Sequence, residues 1–581
     1  MRNLAFIFLA MLFITGIYSC KKSGDLLDAK INTELNEETV FSDSTRTMGF
    51  LFNIYTDMAF SFTYSRWNTA SGTPGLSEAC DESVHRLSSA KQRWIIVALG
   101  SVNASDGTPY LNEWTTSYKN IRKVNLYMQK VNGAPLSAGL KKQSAAEARF
   151  LRAWYYSILL RNFGGVPIVR DTVYQIADQI DGPRNSYEEC VNYIIGECDA
   201  AANDLPLSYD ALNYGRVTKG ACLALKSRVL LAAASPLFNG GNYGTNDAQK
   251  RVVGYSSYDV NRWTLAAKAA QDLIDLNVYS LYEDNVTAPG YGFSRVFLMR
   301  KNSEFILEKM DVANKTMEQA FGTPSTGSTT TNAVPSQNLT EAFGMINGKP
   351  ITDATSGFVD QDPYKNRDPR FNYTIMYNGT PWYTSKTGTK TPINTTYLAP
   401  LDGYGINTYH TGYFFRKMLD DNTAFNGGPN TERCRGIIRY AEILLNYAEA
   451  INETGQTQLA YPKLIQIRKR AGILPGSDGL YGLKANMSVD EMRKVIMNER
   501  QVELAVEDHR FWDVRRWKTA PANQNVIING MKITKVGTTF KYEILPIPQN
   551  PQHVFFDRMY LFPIHQSQLG SNPNLIQNPG Y

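Results

Sequence analysis

Histidine and cysteine are scarce in this 581-residue chain, and the few present are poorly placed for chemistry. The five histidines are His85, His410, His509, His553 and His565. No two share the i, i+4 spacing of a helical metal pair and HExxH is absent, which argues against a zinc hydrolase. Besides Cys20 the cysteines are Cys80, Cys190, Cys198, Cys222 and Cys434, an odd set with no CxxC pair. Neither a disulfide framework nor a zinc knuckle fits. Cys190 and Cys198 would lie about 12 Å apart along a helix, too far to bridge. Beyond residue 20 no apolar run reaches the roughly 20 residues that a membrane-spanning helix needs. GxSxG is missing, which weakens a serine hydrolase of the α/β type. Gly344–Lys349 runs into Pro350 where a phosphate loop needs Ser or Thr. Lys and Arg total 60 against 54 acids, scattered without a basic tract, so nucleic acid is not a suggested partner. Asp81-Glu82 are adjacent carboxylates, and a glycosidase pair must flank one bond from two places. A local hydrogen-bonding role suits them better.

What is present begins at the N-terminus. Met1-Arg2-Asn3 is basic, Leu4–Ile17 is almost wholly apolar, and Ser19 precedes Cys20. That run is too short to span a bilayer and reads as a secretory signal. A cysteine directly after the cleavage point is what a bacterial lipoprotein acylates, and each buried methylene contributes about 0.8 kcal/mol of anchoring. An exported, tethered and otherwise soluble protein is expected, with the lipid on Cys20.

Hydrophobic residues make up 43% and aromatics 12%, enough for a substantial packed core. The length exceeds the roughly 250–300 residues at which single cores stop growing, so two lobes or a composite body are expected. Helical periodicity is clear at 143–162, stopped by Gly164-Gly165, and at 218–235, capped by Thr218. It recurs at 263–276, at 437–454 ahead of Gly455, and from the capping box Ser488–Glu491 through Ala505. These helices form pairs: one before 132 with 143–162, 188–203 with 218–235, and 437–454 with 459–471. Such pairing resembles tetratricopeptide-type stacking. Residues 322–337, 288–292, 384–392 and 422–430 read as loops. The organisation predicted is a signal peptide at 1–19, a lipidated tether at 20–40, a helix-pair region at 41–285, and a region at 286–581 with a loop-rich lobe and the last helix pair.

Tryptophan context supplies the candidate ligand residues. Trp114, Trp154, Trp263, Trp512 and Trp517 sit in periodic or densely mixed segments, where core packing is the default. Trp67 (with Arg66 and Asn68), Trp94 and Trp382 lie in irregular polar surroundings. There an exposed indole could stack on the C–H face of a sugar while polar neighbours bond its hydroxyls. Tyr291, Phe293 and Tyr383 are weaker candidates of the same kind.

Several segments together resemble the SusD/RagB family of outer-membrane nutrient-binding lipoproteins. They are Phe150–Tyr156 with Phe163–Pro167, Asn366–Arg370, Arg439–Ala450, Ile467–Gly472, Glu499–Ala505 with Arg510–Trp517, and the ending Leu561–Ile564 and Asn572–Tyr581. The resemblance implies a mostly α fold, with four tetratricopeptide-like helix pairs supporting an irregular loop-rich lobe that holds the ligand site. It implies capture of an oligosaccharide or polysaccharide without catalysis, and delivery to a SusC-like TonB-dependent transporter; no cofactor and no metal-ligating residues are singled out. Peptide binding of the RagB kind is the alternative. The implied location is the outer membrane, anchored through lipid and facing outward, although Lys21-Lys22 stand where related lipoproteins often carry acids. The motif residues are implied to determine the fold, with Glu503, Arg510 and Arg516 in buried or half-buried ion pairs.

Overall fold

The computed structural model describes residues 36–60, 76–85, 93–106, 110–175, 178–327, 333–383, 389–405, 411–421, 430, 432, 434–547 and 553–581. Cys20, Arg66, Trp67 and Asn68 lie outside the described residues. Helices dominate, and those that carry the scaffold or the site are labelled in chain order. They are α1 Ser44–Thr56, α2 Leu111–Lys130, α3 Ala138–Phe163, α4 Tyr187–Ala202, α5 Lys219–Ala234, α6 Asn261–Ile274, α7 Tyr291–Arg295, α8 Pro369–Thr374, α9 Tyr440–Glu453, α10 Tyr461–Arg470, α11 Val489–Glu503 and α12 Arg510–Arg516.

Local chemistry sets the ends of the long helices. Ser137 accepts from Leu140 N to open α3, and Thr218 accepts from Ala221 N to open α5. Ser488 and Glu491 cap α11 reciprocally. Gly164 closes α3 at φ +79°, and a Cβ there would meet Val252 O at 2.3 Å, so only glycine fits. α2 through α6 pack each on its predecessor, and α9 then packs on α6. Next in the stack, α10 and α11 pack on α9. The segment between α6 and α9 therefore leaves the helical stack and returns to it.

That excursion supplies most of a second body. Its strands are short and antiparallel: β1 Ser83–His85, β2 Phe305–Met310, β3 Ala333–Pro335, β4 Ile375–Met376, β5 Pro381–Tyr383, β6 Lys390–Pro392, β7 Phe414–Phe415, β8 Cys434–Arg439, β9 Asn529–Val536 and β10 Thr539–Pro546. Among the described residues they form two-stranded pairs only, β1 with β3, β2 with β8, β4 with β7, β5 with β6 and β9 with β10. Two hydrophobic cores result. The larger gathers residues of α1–α6 and α9–α12 together with the C-terminal segment, and the smaller centres on Phe293, Phe371, Phe414, Phe415 and Ile533.

Some boundaries differ from the sequence expectation. Residues 437–439 belong to β8, not to the helix, because Ile437 and Ile438 suit the ladder to β2 and Arg439 is extended at φ −129°. Within 322–337, expected as loop, Ala333–Pro335 pairs with β1 and Ser336 caps the next helix. Within 288–292, α7 already begins at Tyr291, and within 384–392, β6 takes Lys390–Pro392. Trp114, Trp154, Trp263 and Trp517 are buried, whereas Trp512 is only half-buried beneath the Arg161 guanidinium. The described cysteines are buried and free.

A buried ion network ties the two bodies together. Glu503, on α11, accepts from Arg439 Nη1 at 2.7 Å, from Arg370 Nη1 at 2.9 Å and from Arg470 Nη2. Arg439 also binds Glu304 at 2.7 Å and Glu507 at 2.6 Å, and Lys417 donates to Glu507 at 2.7 Å. Glu499 joins Arg370 at 2.7 Å and Arg468 at 2.8 Å, while Asp368 holds Arg370 at 2.8 Å. Five cations (Arg370, Lys417, Arg439, Arg468, Arg470) thus meet five anions (Glu304, Asp368, Glu499, Glu503, Glu507). The nearby arginines hold the Glu503 carboxyl well below its ordinary range despite full burial. Arg510 pairs with Asp81 at 2.6 Å, and Arg516 pairs with Asp513 at 2.8 Å and with Glu449.

Removing one member of a buried ion set leaves an uncompensated charge, worth about 3–5 kcal/mol. Glu503→Ala should therefore lower unfolding free energy by that amount in urea titrations. Lys268→Ala, which breaks the exposed pair with Asp272, should leave the urea midpoint unchanged.

Buried groups outside this network set a pH dependence. Burial first, then the Asp81 charge, pushes the Glu82 carboxyl from 4.5 up to about 8, and burial pushes Glu308 up to about 7. Burial pushes His509 and His553 from 6.5 down to about 4. The unfolded chain binds histidine protons below pH 6.5 that the fold refuses until about 4, so acidification through that window destabilises. The raised carboxyls do the reverse, because the fold keeps protons that the unfolded chain sheds above 4.5. Between 6.5 and 8 only the carboxyls of this set act, so stability should fall by about 1–2 kcal/mol as pH rises. Glu82→Gln should remove most of that fall, read as urea midpoints on either side of the window.

Candidate functional site

Strand register builds the most ligand-like surface of the second body. β4 pairs with β7 so that Ile375 faces Phe415, which leaves Thr374 opposite Arg416. Arg416 N donates to Thr374 O at 2.8 Å, and its Nη1 donates to Asn372 O at 2.8 Å. The guanidinium is thereby held between two rings, 5.3 Å from the Tyr373 centroid and 5.5 Å from that of Trp382. Asp421 Oδ2 accepts from Nη2 at 3.2 Å and fixes the far side.

α7 brings a further ring. Its first residue, Tyr291, lies edge-on to Tyr373 with centroids 6.4 Å apart. The approach depends on Gly290, at φ +71°, where a Cβ would meet Ala471 O at 2.6 Å and Pro369 Cβ at 2.9 Å. Tyr377 extends the set, its hydroxyl donating to Asn372 Oδ1 at 3.0 Å. Burial pushes the Tyr373 and Tyr377 phenols up, so both remain protonated donors at neutral pH.

Tyr291, Asn372, Tyr373, Arg416 and Asp421 are half-buried, and Trp382 is 5% exposed. The Trp382 indole N–H and the hydroxyls of Tyr291 and Tyr373 make no hydrogen bond among the described residues. The half-buried Tyr291 and Tyr373 rings thus offer C–H contact beside unspent donors, the combination a sugar requires.

Two of the residues singled out in the sequence, Tyr291 and Trp382, are brought into this one cluster. Their surroundings differ from expectation. Trp382 sits on β5 with its ring buried, not on an exposed loop, because β5 pairs with β6 and the ring packs in the smaller core. Trp94 falls on a helix, Arg93–Ala98, but its side chain lies outside the described atoms. Phe293 is fully buried. Tyr383 is half-buried with Lys390 Nζ 5.4 Å from its ring centroid. Sequence reading missed Asn372, Tyr373 and Arg416. Alternating aromatic and polar residues in Phe371-Asn372-Tyr373 were the available signal, whereas nothing local marks Arg416.

The helical body holds a cavity of about 110 Å³ lined by Leu225, Trp154, Trp512 and His509 among others. It falls well under the roughly 300–1,000 Å³ of small-molecule pockets, so it does not compete as a glycan site. Among the described residues no group of three or more His, Cys, Asp or Glu is placed to hold a metal ion, and no helix is long and apolar enough to cross a membrane.

Comparison with known proteins agrees with this architecture. The SusD family profile matches residues 300–581, and a second SusD-like profile, described as starch-binding and associating with the outer membrane, matches residues 42–231. SusD-like protein P2 of Formosa agariphila is 26% identical over 446 residues, covering 75% of this chain and 74% of that protein. The crystal structure of a SusD-like protein from Bacteroides fragilis superposes with a TM-score of 0.74 at 25% identity, covering 94% of this chain and 99% of that one. A SusD-like carbohydrate-binding protein from the same species shares the fold, with a TM-score of 0.72 at 23% identity over 93% of this chain and all of that one. The chain is a member of the SusD/RagB family, its mostly α scaffold included.

Proposed function

We propose that this protein is an outer-membrane lipoprotein that binds a glycan on the Tyr291–Tyr373–Arg416–Trp382 surface and passes it, chemically unchanged, to a SusC-like TonB-dependent transporter. The observation that carries the reading is the Arg416 guanidinium held between Tyr373 and Trp382 beside three unspent donors. Ring faces favour the C–H surface of a sugar, and the donors favour its hydroxyls. A shallow surface of this kind gains from repeated contact along a polymer, since each further engagement is intramolecular. Starch-binding and carbohydrate-binding descriptions among the matched relatives support the ligand class. The acyl chain on Cys20, the outward orientation, Arg66, Trp67, Asn68 and Trp94 as further contacts, and the division of the chain at residues 285/286 belong to the same proposal. No metal or cofactor is required for it.

Tyr373→Ala and Arg416→Ala should each weaken binding of a responsive oligosaccharide by about 1–3 kcal/mol in calorimetric titration across a glycan panel, with the fold retained by circular dichroism. Saturable binding of a peptide pool with no glycan response would replace this reading with the peptide one. Release of reducing ends from a bound polysaccharide would replace it with hydrolysis.

A further inference from the structure

A second cavity, of about 430 Å³, lies between the 344–352 loop and α11. Its size falls within the range of small-molecule pockets. Two glycines make it possible. Gly348 and Gly482, both at φ +79°, face each other so closely that a Cβ on Gly348 would meet Tyr481 O at 2.0 Å. The two loops can therefore converge on one side chain, Arg468, whose Nη1 donates to Tyr481 O at 2.9 Å and to Gly348 O at 3.2 Å.

Arg468 is 7% exposed and its Nε is spent on Glu499 Oε2 at 2.8 Å, but its Nη2 makes no hydrogen bond among the described residues. Lys494, exposed on α11 at the cavity wall, has no ion-pair or hydrogen-bond partner among them either. The acids of the cavity are in the opposite condition. Asp368 accepts from Arg370, and Glu499 is ion-paired with Arg370 and Arg468, its buried Oε1 making no hydrogen bond. Free hydrogen-bonding capacity facing the cavity is thus mainly cationic donors. Neutral acceptors accompany them: Asn498 spends Nδ2 on Ala342 O at 3.1 Å and leaves Oδ1 unused, and the Thr352 hydroxyl also lines the cavity. Met345, Ile473 and Val502 supply apolar wall.

Unspent donors of positive charge suit an acceptor-rich anionic group, and neutral acceptors beside an apolar wall suit a hydroxylated ring. We infer that this cavity is a carbohydrate subsite for a uronic acid unit, its carboxylate taken by Lys494 Nζ and Arg468 Nη2 and a ring hydroxyl donating to Asn498 Oδ1. The inference takes its ligand class from the glycan reading above but concerns a different part of the molecule.

The test is calorimetric titration of the full-length protein with D-galacturonate, D-galactose and acetate. Galacturonate should bind saturably, with galactose and acetate each at least tenfold weaker. Lys494→Glu, at a side chain without protein partners, should weaken galacturonate at least tenfold with an unchanged circular dichroism spectrum, while Tyr373→Ala should leave it unaltered. Absence of galacturonate binding, equal affinity for galactose or acetate, or an unaffected Lys494→Glu variant would overturn the inference. Binding lost in Tyr373→Ala but not in Lys494→Glu would overturn it too, and would leave the aromatic surface as the sugar site.

Discussion

Glu503 is the residue on which the two bodies agree. Its carboxylate collects Arg439 from the end of β8, Arg470 from the end of α10 and Arg370 from the first turn of α8. Each guanidinium needs burial-compatible partners, and each finds further ones in Glu304, Glu507, Glu499 or Asp368. A charge in an apolar interior is tolerated only when fully paired. The network therefore acts as a coincidence detector: the helical stack and the inserted body must dock in one arrangement or leave several charges stranded.

The aromatic surface inherits its geometry from that docking. Arg370 and Tyr373 lie on the same short helix, so fixing Arg370 against Glu503 and Asp368 also fixes where Tyr373 stands. Lys417 follows Arg416 directly and is anchored to the carbonyls of Glu503 and Ala505 at 3.0 and 2.9 Å. Arg416, which joins Tyr373 to Trp382, therefore directly precedes a member of the network. A buried ionic base thus supports the half-buried aromatic surface, so its side chains have little conformational entropy left to lose.

Much of the scaffold was legible before any coordinates. Thr218, Ser488 and Gly164 mark helix ends through interactions confined to a few residues, and the periodic apolar positions of α3, α5 and α9 report burial directly, whereas Leu265, expected on the apolar face of α6, is exposed. Ion pairing by Glu503, Arg510 and Arg516 was legible from their setting among aromatics in recognisable family segments. Less visible was the strand β8 at the head of a helix-like run, since Ile437 and Ile438 suit either state until β2 offers a ladder. The burial of Trp382 was equally hidden, because Gly and Thr neighbours suggest a loop while the β5–β6 pairing is decided across a hairpin.

Contact between neighbours in the chain was thus determined by the sequence alone: helix caps, helix stops, amphipathic faces, free cysteines and the family resemblance. Contact between distant residues was decided only by the tertiary structure. The packing of α9 on α6, Arg416 between Tyr373 and Trp382, and Gly348 against Gly482 all join segments through space. Such contacts arise when buried charges and apolar faces from remote segments are satisfied together, a condition that no local pattern records.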